Sequence, residues 1–201
     1  MCKNLMVLPI FIALLACSSS FEVVEIPRHE ADLYPHSESK QNVTVAIDEI
    51  SSKDRVVSYF GADLTKDGIL PVNIIISNNG SQRFELRPSD ILLRRGSLVI
   101  DPIPLERVTK IVIKRSGRHS KKTEKQIEQY FSDLFFKESI LEPKDTFDGV
   151  MFFYTARKKE ETDPEFSILK IFKGGKLRLQ VAISNHQTNE RIHFGPFALS
   201  K

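Results

Sequence analysis

A mainly β fold, an antiparallel β-sandwich with one inserted amphipathic helix, is the fold class this sequence predicts. Three observations predict it. About eight short segments alternate apolar and polar residues, turn-forming residues separate them, and one stretch alone places its apolar residues at helical spacing.

The alternation starts at Val43, where Val43, Val45 and Ile47 interleave with Thr44 and Ala46, the pattern of a half-buried strand. Val56–Phe60 is read as a second strand. Leu70–Ser77 is the strongest: Val72, Ile74 and Ile76 fall on one face, Asn73, Ile75 and Ser77 on the other. Asn78-Asn79-Gly80-Ser81 suits a tight hairpin turn, with Gln82–Leu86 as the returning strand. Pro88-Ser89-Asp90 turns the chain, and Ile91–Leu93 and Leu98–Ile100 form a hairpin-like unit about Arg94–Ser97. Asp101–Pro104 interrupts the sheet pattern, since proline donates nothing to a ladder. Val108–Ile113 is read as a strand before a turn at Ser116-Gly117.

The expected helix spans about Glu124–Lys137, within an insertion at about 123–138. Ile127, Tyr130, Phe131, Leu134 and Phe135 form its apolar face, and Thr123 with Gln126 resembles a capping box. Strand patterns resume at Gly149–Tyr154, Phe166–Phe172, Leu177–Ile183 and Ile192–Leu199, with Gly174-Gly175 as a turn. Residues 43–201 are therefore expected to form a single domain.

Ahead of it, Ser18–Asn42 is polar and reads as a tether that, fully extended, would reach about 80 Å. Its one apolar run, Phe21–Ile26, is either a short strand or a contact with a partner. Residues 1–16 have the form of a secretory signal: Lys3, an apolar stretch from Leu5 to Leu15, then the small Ala16. The stretch is too short to cross a bilayer, which takes about 20 apolar residues.

Leu14-Leu15-Ala16-Cys17 resembles the lipobox of bacterial lipoproteins. The resemblance implies that residues 1–16 are removed, that Cys17 is acylated, and that several acyl chains hold the protein stably on a membrane. Ser18 rather than aspartate after the cysteine implies, by the same resemblance, the outer membrane; the expected side is the periplasmic one, with exposure at the cell surface as the alternative. Two further stretches, Ile69–Gly80 and Leu141–Phe153, resemble bacterial immunoglobulin-like lipoprotein domains, whose members bind partners or have no assigned role. The fold class implied is an immunoglobulin-like antiparallel β-sandwich.

Composition narrows the function classes. The chain has 29 basic and 26 acidic residues, and losing Lys3 leaves 28 against 26, a net charge near +2. Charge as a whole therefore draws the protein to neither nucleic acid nor membrane. The two cysteines are Cys2 and Cys17, so the signal and the acylation would leave no thiol pair. Fourteen phenylalanines and no tryptophan point to a phenylalanine-rich core.

No nucleophile elbow, zinc-protease motif or phosphate-binding glycine loop occurs in the chain, and no cofactor or metal is expected. His186 and His193 would meet only across a hairpin, and Glu160, Glu161 and Asp163 read as a solvated loop or a weak cation site. The local charge feature is a basic segment: Arg107, Lys110, Lys114, Arg115, Arg118, Lys121, Lys122 and Lys125 against Glu124 alone. It would meet anionic lipid, lipopolysaccharide or an acidic protein face, each basic residue adding about 1 kcal/mol near an anionic membrane. The expected function is a lipid-anchored, non-enzymatic binding or scaffolding module with a protein partner in the cell envelope and no nucleic acid. The alternative is an envelope hydrolase or lipid-modifying enzyme.

Overall fold

The computed structural model describes residues 21–117, 120–155 and 176–200. In chain order its first half holds β1 (Ser37–Lys40), β2 (Val43–Glu49), α1 (Lys53–Phe60), β3 (Ile69–Asn78), β4 (Phe84–Leu86), β5 (Ile91–Arg95) and β6 (Leu98–Ile100). Then come α2 (Leu105–Ser116), α3 (Lys121–Leu134), β7 (Ser139–Leu141), β8 (Thr146–Tyr154), β9 (Leu177–Asn185) and β10 (Arg191–Ala198). The strands form two antiparallel sheets. The first runs β1-β2-β3-β8; in the second, β6-β5-β9-β4-β7 is the hydrogen-bonded path and β10 pairs with β9.

The sheets pack face to face on Val45, Val72, Ile74, Met151 and Phe153 from the first and Leu93, Leu179, Val181, Ile183 and Phe194 from the second. A second apolar cluster lies on the other side of the first sheet. There Ile69, Val150 and Phe152 meet Val56 and Phe60 of α1, Val108 and Val112 of α2, and Ile127 and Phe131 of α3. The molecule thus has three layers: helices, first sheet, second sheet. All ten residues of β3 are buried. Ile74 and Ile76 face the sandwich, whereas Ile75 packs with Ala46 and Ala31 on the outer side. A strand covered on both faces reads as a nearly continuous apolar run, as Ile69–Ile76 does.

Among the described residues three α-helices stand where the sequence predicts one. Val56–Phe60 belongs to α1, not to a strand. Ser52 caps it by accepting from Arg55 N at 3.3 Å, and Gly61 ends it in the left-handed region at φ 69°. Val108–Ile113 is likewise helical, within α2, where Val108, Thr109 and Val112 are buried at i, i+1 and i+4. β-branched residues in both segments imitate a strand, and burial under the sheet overrides that propensity. The helix α3 begins earlier than expected: Ser120 accepts from Thr123 N at 3.2 Å, so Thr123 is a buried first-turn residue and not the cap.

Asn78–Ser81 does not close a hairpin, because β4 pairs with β7 and β9 in the other sheet. Asn78 is buried and serves this crossing. Its Nδ2 donates to Gln82 O at 2.7 Å and Glu142 O at 3.0 Å, and its Oδ1 accepts from Gly80 N at 3.0 Å. The β5–β6 hairpin and the strands at Gly149–Tyr154, Leu177–Ile183 and Ile192–Leu199 lie as expected. Phe166–Phe172 and Gly174-Gly175 lie outside the described residues.

Candidate functional site

The polar segment ahead of the domain is not a free tether. Phe21 packs edge-on against Tyr130 of α3 with ring centroids 5.7 Å apart, and a Cβ on Gly61 would meet the Phe21 ring at 2.6 Å. Val24 N donates to Ser58 O at 2.9 Å, Ile26 is buried in the helical cluster, and Arg28 pairs with Asp148 at 3.3 Å. Ala31 is fully buried, and its N donates to Ser77 Oγ at 3.0 Å. Ser37–Lys40 then pairs with β2 as an edge strand. This strand laces the two sheets together: Glu38 Oε2 accepts from Gly195 N at 2.6 Å, and Lys40 Nζ donates to His193 O at 2.6 Å. Glu38 lies below the usual carboxylate range, chiefly because Lys40 bonds to it and secondarily because of the Gly195 amide. The short apolar run and scattered Ile, Ala and Tyr had enough surface to dock; the surrounding charges concealed it.

The basic segment spans α2, α3 and the junction between them, with Arg118 outside the described residues. Two of its members serve the fold. Arg115 forms a two-pronged pair with Asp67, Nε to Oδ2 at 3.0 Å and Nη2 to Oδ1 at 2.6 Å. The Arg107 guanidinium lies 5.3 Å from the Tyr154 ring centroid. Lys110, Lys114, Lys121, Lys122 and Lys125 are exposed and join none of the ion pairs among the described residues. Lys121 and Lys122 occupy the first turn of α3, where the helix dipole disfavours cations. An anion docked there would relieve that repulsion.

Other sequence candidates separate. His186 Nδ1 lies 2.9 Å from Glu85 Oε1, while His193 stands opposite Ala182, so the β9–β10 register keeps the two histidines apart. Glu160, Glu161, Asp163 and Cys17 lie outside the described residues. No group of three His, Cys, Asp or Glu side chains able to hold a metal occurs among the described residues. A cleft of about 860 Å³ is lined by Tyr34, His36, Asp48, Glu49, Lys176 and Ser200, among others. Arg55 grips Asp48 at 3.0 and 2.5 Å, and Glu49 Oε2 accepts from Ser200 N and Oγ at 2.7 and 2.8 Å, while Glu49 Oε1 is buried with no hydrogen-bond partner among the described residues. As neighbours in β2, Asp48 and Glu49 start on opposite faces of the sheet, yet both reach the lining of this cleft.

No helix among the described residues is long and apolar enough to cross a membrane. No protein-family model and no curated protein matches the chain. Solved structures align weakly. A candidate lipoprotein (ycdA) from Bacillus subtilis subsp. subtilis str. 168 is 13% identical over 83% of this chain, at TM-score 0.41, and the chain spans 38% of that protein's length. The yjhA protein from Bacillus subtilis is 8% identical, with 79% of this chain and 94% of that one covered, at TM-score 0.40. A FixG-related protein from Vibrio parahaemolyticus is 8% identical, with 77% and 92% covered, at TM-score 0.36.

Proposed function

We propose that this protein is a lipid-anchored, non-enzymatic module of the cell envelope, on the outer membrane facing the periplasm, that binds a partner close to the lipid surface. In this reading its two-sheet body is of the immunoglobulin-like lipoprotein type. One observation carries the proposal: Phe21 is already packed on the helical layer. If Cys17 bears the lipid, only Ser18, Ser19 and Ser20 separate the anchor from the folded domain. Four residue steps span at most about 14 Å. Such a leash keeps the helical layer beside the membrane, where a free segment of 26 residues would not. The exposed lysines lie in that layer; Lys121 is nine residues from Tyr130 along α3, about 14 Å. They are suited to anionic lipid, lipopolysaccharide phosphates or an acidic protein face. A hydrolase would want two carboxylates free to act in one cleft, and there Arg55 holds Asp48 and Ser200 holds Glu49 Oε2.

Two variants test the reading. Cys17→Ser should move the protein from the membrane fraction to the soluble fraction. Replacing Lys110, Lys114, Lys121 and Lys122 with glutamate should leave the anchor intact and reduce recovery of crosslinked partner in living cells. Full membrane retention of Cys17→Ser overturns the anchor, and unchanged crosslinking removes the lysines from the proposal.

A further inference from the structure

The outer face of the second sheet carries a charge arrangement that the helical layer does not explain. Arg94 of β5 and Arg178 of β9 are direct cross-strand partners, 84 residues apart in sequence. Like charges at one rung destabilise a sheet. Lys176 stands two residues before Arg178, just ahead of β9, is exposed, and lines the same slot as the two arginines. Arg95 of β5 donates to Thr155 O, and three other arginines around this sheet have carboxylate partners: Arg83 with Glu142, Arg87 with Glu85 and Arg191 with Asp90. Arg94 and Arg178 have none among the described residues.

The three cations line a slot of about 380 Å³ together with Gly96, Gln180 and Pro196, and no acidic side chain among the described residues lines it. Gln180 Oε1 accepts from Arg94 Nε at 3.2 Å, which orients the guanidinium and leaves both of its Nη groups uncommitted among the described residues. Gln180 keeps its own amide NH₂ to donate. Gly96 and Pro196 place little bulk at the rim. The result is a small concavity walled by two planar donor forks, a lysine and an amide, the donor set that matches the tetrahedral oxygens of a phosphate.

We propose that this slot is an anion-binding site for a phosphomonoester, held between the Arg94 and Arg178 guanidiniums with Lys176 and Gln180 completing its contacts. A dianion there turns the repulsive rung into an attractive one. The site lies on the sheet remote from the helical layer, so it is independent of the membrane reading and neither stands or falls with the other.

The test uses the full-length chain, titrated with inorganic phosphate at constant ionic strength against chloride. Saturable binding is expected. Arg94→Gln and Arg178→Gln should each weaken it about tenfold, the loss of one charge-assisted contact. Arg191→Gln, whose partner is Asp90 outside the slot, should leave it unchanged. Without phosphate, Arg178→Gln should melt no lower than the parent, because it removes a like-charge rung; a merely structural arginine would melt lower. Adding a soluble short-chain phosphatidic acid as competitor separates the sources. A weakened apparent affinity for phosphate identifies a lipid headgroup as occupant, and an unchanged one identifies a soluble phosphomonoester. Absence of saturable binding in the parent, or equal binding in the parent and both slot variants, overturns the proposal.

Discussion

The first sheet separates two apolar interiors that are built in different ways. On one side, strands from both sheets interdigitate, and aliphatic residues such as Val45, Val72, Leu179 and Val181 supply most of the contacts. On the other side, three helices and the N-terminal segment meet the sheet through an aromatic group. Phe152 stands 5.3 Å from Phe60, 5.9 Å from Phe131 and 6.2 Å from Phe135 between ring centroids. Strand-to-strand packing repeats every second residue and is visible in the sequence. Packing of helices on a sheet depends on a few large side chains whose neighbours are far away in the chain. Phe135 and Phe136 show the division most sharply: adjacent in sequence, the first packs with the helical cluster and the second with the sandwich.

The sharpest way to break this comparison is to empty one interior. Phe152→Ala should cost about 3–5 kcal/mol in urea unfolding. Hydrogen exchange should quicken in α1, α2 and α3 while β5 and β9 stay protected. Equal loss in both places would mean that the two interiors unfold as one unit. A smaller effect is expected where they touch. A Cβ on Gly149 would lie 2.7 Å from the Phe136 Cα, so Gly149→Ala should cost about 1–3 kcal/mol by overpacking, read as a lower midpoint at unchanged slope.

pH probes the two regions from opposite ends. Glu38 laces the edge of the sandwich, and its folded pKa is lowered from 4.5 by Lys40 and by the Gly195 amide. Its contribution is present above 4.5 and is lost as pH falls through the lower folded value. Tyr130 belongs to the helical layer, where burial, reinforced by the Glu25 charge, pushes its phenol from 10.0 up to about 12. Its contribution is complete below pH 10 and is lost as pH rises toward 12. Glu38→Gln should therefore flatten the acid side of the stability curve, and Tyr130→Phe the alkaline side, by thermal melts across pH. In the parent, tyrosinate absorbance should show a late-titrating component. The smallest change is expected at Arg115→Ala, whose pair with Asp67 is partly solvated; stability should fall by less than about 1 kcal/mol.

Legibility followed the same division. The alternation at Leu70–Ser77 and Leu177–Ile183 located two central strands and the residues they bury, because a strand's side-chain period is a local property. α1 and α2 imitate strands in sequence because Val56-Val57 and Val108–Ile113 carry β-branched residues, while the sheet that makes their helical faces favourable is remote in sequence. The basic segment was legible as a list of charges, yet not that Asp67 takes Arg115 and Tyr154 takes Arg107. The Arg94–Arg178 rung left no local signal, since it exists only once β5 and β9 pair.

By itself the sequence determined the mainly β character, the central strands, the helix α3 and the Leu14–Cys17 motif, all of which rest on short-range period or spacing. Tertiary structure decided that β4 crosses to the second sheet, that three helices cover the first, and that the polar segment from Phe21 to Lys40 is strapped down rather than free. Each of those outcomes depends on apolar surface and hydrogen-bond partners that distant parts of the chain supply only after folding.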